Sequence, residues 1–342
     1  MHEQQHSASA EKPRILTNMA FWQSPAWMAR VDSIYALDPK HGDPAFMPWW
    51  REVWALFRRR KAYDIIHTMG VRESFGFALL CRVRGETSRQ IMTEVFIDAP
   101  QSDSLRWRIK TWFYRKLAEG IPGIITNSSG EIETNARRFA IPRERLRYVP
   151  LAPTIEQPEY LPKPDGHYFC GGRTLRDYTT LMAVMQQTDR PWQVVAGQDD
   201  MADQAVDTAR IAVHREIPRE CYLELLRGAS VVVLPLLPTE RATGQVVALE
   251  AMSYGKPVIT TRAPGTVDII RHGENGYLVE AGDVGGITSI LNDLAQRPDE
   301  YARIGRNALD DMRRNGSADL HARQRLDAIT ALWSQFSRTV SA

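Results

Sequence analysis

The sequence predicts an α/β protein made of two parallel-sheet domains. Three observations lead there. The chain has 342 residues, enough for about two domains at the usual ~100–200 residues each. Short apolar runs rich in Ile and Val alternate with helical stretches along the chain, the pattern of a parallel sheet covered on both faces. Five prolines, Pro150, Pro153, Pro158, Pro162 and Pro164, interrupt that alternation once and mark a linker, because proline removes a donor and breaks both helix and strand.

Taken in order, residues 1–12 read as a disordered tail, polar and without a signal-peptide core. Strands are expected at 14–18, 61–68, 90–95, 123–127 and 147–150, with helices at 75–83 and 131–139 between them. These form a first domain over 13–152, followed by a linker at 153–166. In the second domain, 167–320, strands fit 168–171, 193–196, 210–213, 230–234 and 257–261, and helices fit 174–187, 218–227, 244–254 and 287–295. A helix over 321–342 closes the chain, with packing back onto the first domain as one option. Two such domains imply a cleft, with ligands at the carboxyl ends of the strands.

Composition removes several classes of function. Hydrophobic residues make up 43% and charged residues 25%, with a formal net charge of +2. That balance fits neither a uniformly basic nucleic-acid binder nor an acidic disordered chain. Cys81, Cys170 and Cys221 are far apart, so there is no disulfide framework and no paired-cysteine zinc cage; a reducing cytoplasm is the expected compartment. No apolar run reaches the ~18 residues of a membrane span. His2-Glu3-Gln4-Gln5-His6 matches the zinc-protease pattern, but in a frayed tail it reads as chance, since that pattern works only on a helix. Asn127-Ser128-Ser129 and Asn315-Gly316-Ser317 are chance glycosylation matches for a chain that is not secreted.

The mean charge conceals an asymmetry. Residues 1–150 carry 23 Lys and Arg against 16 Asp and Glu, and seven of the nine tryptophans; residues 151–342 carry 20 against 25. The basic half is expected to face something anionic and partly apolar. Two segments concentrate this character. One is 104–117, with five cations, no acid, and Leu105, Ile109, Trp112 and Phe113 on one helical face; the other is 49–61. Basic amphipathic helices with aromatics suit the headgroup layer of an anionic membrane. The plainer alternative is an apolar stripe facing the core. A third is direct contact with an acidic glycan or a lipid-linked diphosphate.

Two patterns suggest anion chemistry in the second half. Cys170-Gly171-Gly172-Arg173-Thr174-Leu175-Arg176-Asp177 places a glycine turn and two guanidiniums between a strand and a helix. Helix N-termini expose unpaired N–H groups, and Arg presents a planar fork to phosphate oxygens; a solvated βα turn fits equally well. Thr243-Gly244-Gln245-Val246 opens a helix that carries Glu250. The amides there suit an anion, and the carboxylate suits two hydroxyls such as a ribose offers. The alternative is an ordinary amphipathic helix with Gly255 at its end.

This region resembles the donor-binding part of family 4 retaining glycosyltransferases, which have the GT-B fold of two Rossmann-like domains. The resemblance rests on Leu249-Glu250-Ala251-Met252, Gly255-Lys256-Pro257-Val258-Ile259 and Gly273-Glu274-Asn275-Gly276-Tyr277-Leu278-Val279. Phe169–Asp177 is similar to the family's strand and Gly-Arg turn, and the segments at Asn127–Glu131 and Tyr148–Pro153 are similar to the end of its first domain. The resemblance covers roughly residues 120–310. It implies that Glu250 holds the donor ribose, that Gly172 and Arg173 meet the diphosphate, and that the turn at Gly244 cradles phosphate with Thr243, Gln245 and Val246. Arg176 stands near a family lysine. Two departures matter. Ala242 replaces the family's first glutamate, so either Glu240 or Gln245 substitutes for it or the donor sugar goes unheld. Asn18-Met19-Ala20-Phe21-Trp22 replaces the glycine-rich loop after the first strand. Glu94 falls near a family histidine on the acceptor side.

The implied activity is sugar transfer from a UDP- or GDP-linked donor to a glycan or lipid-linked acceptor, with retention. No metal or other cofactor is expected, since no Asp-x-Asp triplet occurs, and nucleic acid is not a partner. Catalytic roles fall to Arg173, Arg176 and Glu94. The location is cytoplasmic, in one reading peripheral on the inner face of the membrane. Rival readings are a non-catalytic binding subunit, which Ala242 favours, and a sugar-nucleotide epimerase.

Overall fold

The computed structural model describes residues 12–19, 24–37, 47–97, 104–198, 200–201 and 209–341. His2, His6 and the tail up to Glu11 lie outside the described residues. The chain divides into two compact units. Unit 1 comprises residues up to 125, 136–147 and from 322 onward; unit 2 comprises 126–135 and 148–321. Chain order and unit membership therefore part company twice, at 126–135 and after 321.

Unit 1 is built on β1 (Ile15–Thr17), α1 (Pro25–Met28), β2 (Val31–Ser33), α2 (Ile34–Leu37), α3 (Trp49–Arg59), β3 (Ile65–Met69), α4 (Val71–Val83), β4 (Gln90–Thr93), α5 (Leu105–Ala118), β5 (Gly123–Thr126) and β6 (Leu146–Tyr148), with α6 (Gly130–Phe139) entering it from residue 136. Its sheet runs β2-β1-β3-β4-β5-β6, and the pairs from β2 through β5 are parallel. Leu16, Ile66, Leu56, Phe57 and Phe77 pack α3 and α4 onto the sheet. Phe75 of α4 stacks on Tyr114 of α5 with centroids 4.0 Å apart and meets Phe139 of α6 at 5.7 Å. The expected strand at 61–68 begins only at Ile65, because Arg60–Ala62 forms a 3-10 turn.

The last helix, α12 (Ala318–Ser341), belongs to this unit from Ala322. Arg30 donates to Thr330 Oγ1 at 3.3 Å, and buried Arg325 donates to Thr93 Oγ1 at 2.9 Å.

Unit 2 contains β7 (His167–Gly171), α7 (Tyr178–Gln186), β8 (Trp192–Ala196), β9 (Ile211–Arg215), α8 (Arg219–Gly228), β10 (Ala229–Leu234), α9 (Gln245–Ser253), β11 (Val258–Thr261), β12 (Tyr277–Val279), α10 (Val284–Gln296) and α11 (Pro298–Asn315). The sheet order is β12-β11-β10-β7-β8-β9, parallel throughout. Every residue of β10 is buried, as a central strand covered on both faces requires; its apolar run is therefore continuous rather than alternating. The proline-rich linker lies along the end of α9, where Glu159 N donates to Ser253 O at 2.9 Å and Leu161 N to Tyr254 O at 3.2 Å.

The helix expected from 174 begins at Tyr178 instead. Asp177 caps it, accepting from Thr180 N at 3.0 Å and from Thr180 Oγ1 at 2.6 Å. A capping carboxylate competes for the same amides that phosphate would use, so an anion site at that helix end is not what the sequence builds.

Candidate functional site

In unit 2 the chain starts at β7, moves outward through β8 and β9, then crosses back to place β10 beside β7. That reversal opens a crevice at the carboxyl ends of β7 and β10, where open parallel sheets bind ligands. The two segments singled out in the sequence leave the sheet at those ends.

The turn after β7 is stapled from both sides. Arg176 is buried, and its Nε donates to Gly171 O at 2.8 Å and its Nη1 to Thr174 O at 3.0 Å. A β-carbon on Gly172 would sit 2.2 Å from Arg176 Nη2, and Gly172 has φ +104, so only glycine fits there. The turn is joined to the strand beside it: Asp177 N donates to Pro235 O at 2.9 Å, and Leu237 N to Leu175 O at 3.0 Å. Arg176 thus shapes the turn. Arg173, by contrast, projects outward, and its Nη2 pairs with Glu216 at 2.8 Å with both side chains largely exposed.

The loop after β10 reaches the same turn, since Thr243 Oγ1 donates to Thr174 O at 3.3 Å. Gly244 has φ +77 at the N-cap of α9, and a β-carbon there would press on Leu236 at 3.0 Å. No side chain caps this helix and no acid lies in its first turn. The first amides, on Gln245, Val246 and Val247, have no carbonyl of their own helix to reach. They lie at the crevice, uncapped by any side chain.

Segment 126–135 supports that loop. Ala242 N donates to Glu131 Oε1 at 3.0 Å, and Gln245 Nε2 donates to Asn127 O at 2.8 Å. Ser128 Oγ donates to Pro264 O at 2.6 Å, while Ser129 gives its N–H and hydroxyl to Asp268 at 2.8 and 2.5 Å. Gln245 is thereby occupied in holding the loop. Glu240 lies exposed in the loop ahead of it.

Glu250 lies deeper on α9, with its side chain 1% exposed. Thr154 Oγ1 donates to Oε1 at 2.5 Å, Arg219 Nη2 approaches the same oxygen at 2.6 Å, and Tyr222 donates to Oε2 at 2.8 Å. Arg219 also donates to Thr154 Oγ1 at 2.7 Å and lies over the Tyr222 ring. Burial, then the Glu250 charge, raises the Tyr222 hydroxyl far above its usual range. For Arg219, burial pulls downward, but the Glu250 hydrogen bond and charge carry it upward. Tyr222 links this cage to the turn, because a β-carbon on Gly171 would lie 3.0 Å from its ring. A cavity of about 570 Å³ opens on the far side of Thr154, lined by Ile155, Leu223 and Tyr254 among others. Tyr254 ends α9 at the amino side of the sheet, so this cavity is away from the α9 N-terminus.

The structure therefore brings Gly172, Arg173, Arg176, Thr243, Gly244, Gln245 and Val246 to one crevice and sets Glu250 behind them. Reasoning from sequence passed over Thr154, Arg219, Tyr222 and Glu216, and gave Glu131 no role in the site. Glu94 belongs to unit 1, just past β4, half-buried with φ +52, a region that non-glycine residues seldom adopt. Burial pushes Arg325 down to about 10, and the charge of Glu94 acts against that.

Residues 179–297 match the family model of glycosyl transferases, group 1. The match covers about a third of the chain. The glycosyl transferase match contains Arg219, Tyr222 and Ala242 through Glu250, and begins just after Arg173 and Arg176. N-acetyl-alpha-D-glucosaminyl L-malate synthase of Bacillus anthracis is 37% identical over 75 residues, covering 22% of this chain and 20% of the relative. MMP alpha-(1->4)-mannosyltransferase of Mycolicibacterium hassiacum is 23% identical over 290 residues, covering 74% of this chain and 66% of the relative. The chain thus spans a fifth to two thirds of the length of these curated relatives. Among solved structures, Anabaena HepE in complex with UDP superimposes with a TM-score of 0.65 at 17% identity, covering 97% of this chain and 100% of that one. The fold is GT-B, with two Rossmann-like units. Among the described residues no helix is long and apolar enough to cross a membrane.

Proposed function

We propose that the chain is a retaining glycosyltransferase that moves a hexose-type sugar from a UDP- or GDP-linked donor to a glycan or lipid-linked acceptor. The observation that carries this is the uncapped N-terminus of α9, held against the turn after β7 at the point where the sheet reverses. Sugar transfer must stabilise a departing diphosphate. Fixed amides and a guanidinium aimed at that charge do so without reorganising. Arg173 is the available cation: its exposed pairing with Glu216 is worth little, so a doubly charged phosphate outcompetes it. That cationic supply supports a metal-independent reaction, and the family resemblance supports retention. The names of the relatives, a glucosaminyl malate synthase and a mannosyltransferase, support the same class of chemistry, and HepE with UDP supports the donor. We read the reaction as cytoplasmic and Glu94 of unit 1 as an acceptor-side residue, both from the family resemblance.

A second reading, a non-catalytic nucleotide-sugar-binding subunit, is favoured by one observation. Ala242 offers only a buried methyl group where the family has a carboxylate, and its N–H is already held by Glu131. A screen of UDP- and GDP-sugars by thermal shift, followed by product analysis with glycan and lipid-linked acceptors, separates the two. Transfer supports the enzyme; donor binding without transfer or donor hydrolysis supports the subunit; no stabilisation by any donor defeats both.

Arg173→Ala is expected to lower kcat and kcat/KM together by about tenfold, the signature of a contact made as charge builds on the leaving group. Steady-state kinetics with the productive donor checks this. A change in KM alone means uniform binding, and no change leaves Arg173 as a surface residue of the turn.

A further inference from the structure

We propose that α3, α4 and α5 form a docking face for an anionic lipid bilayer. The proposal deepens the reading of a lipid-linked acceptor and rests on it for its purpose, though its geometry lies wholly in unit 1.

The apolar stripe of α5 faces outward. Leu105 is 72% exposed, Ile109 58% and Trp112 60%, with Phe113 beside them. The inner side of the helix is already filled by Tyr114, stacked on Phe75, and by buried Leu117 and Ala118. The stripe at Leu105, Ile109, Trp112 and Phe113 is therefore not the core-facing surface that an amphipathic helix normally supplies. α4 packs against both α3 and α5 and extends the same character, with Val83 74% exposed and Leu79 also exposed. On α3, Trp50 and Trp54 are exposed while Val53, Leu56 and Phe57 fill the core.

Cations frame this apolar surface. Arg106 and Arg108 flank the stripe on α5, which holds no acid from Leu105 to Ala118, and Arg58 is exposed on α3. Glu52, the acid of α3, is buried and accepts from Asn18 at 2.7 Å, so it does not offset them. Exposed tryptophans beside cations fit the headgroup boundary, which takes the ring into the acyl edge and the charge at the phosphates. Charge complementarity selects an anionic bilayer over a second copy of the chain, which would present the same positive face and be repelled.

The test is flotation of the full chain with vesicles of phosphatidylcholine containing roughly one third phosphatidylglycerol, compared with pure phosphatidylcholine. The protein is expected to float with the anionic vesicles at low salt and to be released as salt screens the charges. Arg58→Gln, Arg106→Gln and Arg108→Gln together should lower the partition coefficient about a hundredfold, at about fivefold each. Lys110 and Arg115 are left in place because Lys110 lies over Trp107 and Tyr114 and Arg115 donates to the carbonyls of Arg137 and Arg138. Ile109→Ser with Trp112→Ser should weaken binding about tenfold at any salt, with the melting temperature unchanged, because both side chains are already in water. A wild-type protein that stays in solution beside anionic vesicles at low salt overturns the proposal. So does equal flotation of the variants, or a dimer in gel filtration that Ile109→Ser and Trp112→Ser dissolve. Calorimetric titration with UDP in the absence of vesicles reports on the donor reading separately, so either idea fails without the other.

Discussion

Lys256→Met is expected to lower the free energy of unfolding by about 2–4 kcal/mol at neutral pH, read by denaturant titration. Lys256 is fully buried, and its ammonium donates to three carbonyls, Leu161 O at 2.5 Å, Arg227 O at 2.6 Å and Ala229 O at 2.8 Å. These belong to the linker and to the turn from α8 into β10, so one side chain ties the linker to that turn. Methionine follows the lysine chain as far as Cε and removes the cost of burying a charge. It also leaves three carbonyls without a donor, each costing about 1–3 kcal/mol when buried, and that loss exceeds the gain. A variant as stable as the wild type would mean that water reaches those carbonyls.

The same residue gives a pH signature. Burial pushes Lys256 down to about 7, whereas an unfolded lysine titrates near ~10.4. Between those values the unfolded chain binds more protons than the folded one, so stability rises with pH from about 7 upward, by up to about 1.4 kcal/mol per unit. The contribution is fully present above the unfolded value and is lost as pH falls through about 7. Burial holds Cys81 up at about 11 and Cys170 at about 12. Unfolded thiols ionise near ~8.5, so above that pH the two thiols oppose the lysine. The rise is therefore expected between about pH 7 and 8.5, and it should vanish in Lys256→Met. A slope that persists in the variant assigns it to other groups.

The alternating runs of Ile and Val made both sheets legible, because strands buried on two faces, such as β10 at Ala229–Leu234, need no partner to be recognised. Of the four edge strands, those expected at 147–150 and 210–213 were legible and the other two were not. Val31–Ser33 and Tyr277–Val279 are three residues each, too short to show a period. The start of α7 lies beyond the expected position because Asp177 is used as a cap rather than as a first-turn acid, a choice made by a side-chain geometry that spacing does not encode. In the site, Gly172, Gly244 and Glu250 stood out as residue types with special backbone or charge. Thr154, Arg219 and Tyr222 did not, since a threonine in a proline-rich linker and an arginine at the start of a helix are ordinary until the fold brings them to one carboxylate. Nor does sequence order reveal that Glu131 supports the loop at Ala242, 111 positions away.

Glu250→Ala is expected to weaken nucleotide or nucleotide-sugar affinity by about 1.5–3 kcal/mol, the worth of hydrogen bonds to a charged group, or roughly ten- to a hundredfold in Kd. In the structure both carboxylate oxygens are taken by Thr154, Arg219 and Tyr222, so a ribose must displace one donor. Thr154 is the exchangeable one, because its hydroxyl makes the same kind of bond that a ribose hydroxyl makes. Arg219 and Tyr222 would then keep the carboxylate oriented. Thr154→Val decides between two roles. If Glu250 binds ribose, the valine variant keeps or improves its affinity, since Oε1 is left open to the ligand, and loses only a little stability. If Glu250 serves to anchor the linker, Thr154→Val and Glu250→Ala both lower the melting temperature, and the folded protein binds UDP as before. Isothermal titration of UDP into each variant, beside its thermal unfolding curve, separates these outcomes. Unchanged affinity in a folded Glu250→Ala protein removes this carboxylate from the donor site and leaves the α9 amides and Arg173 to hold the diphosphate alone.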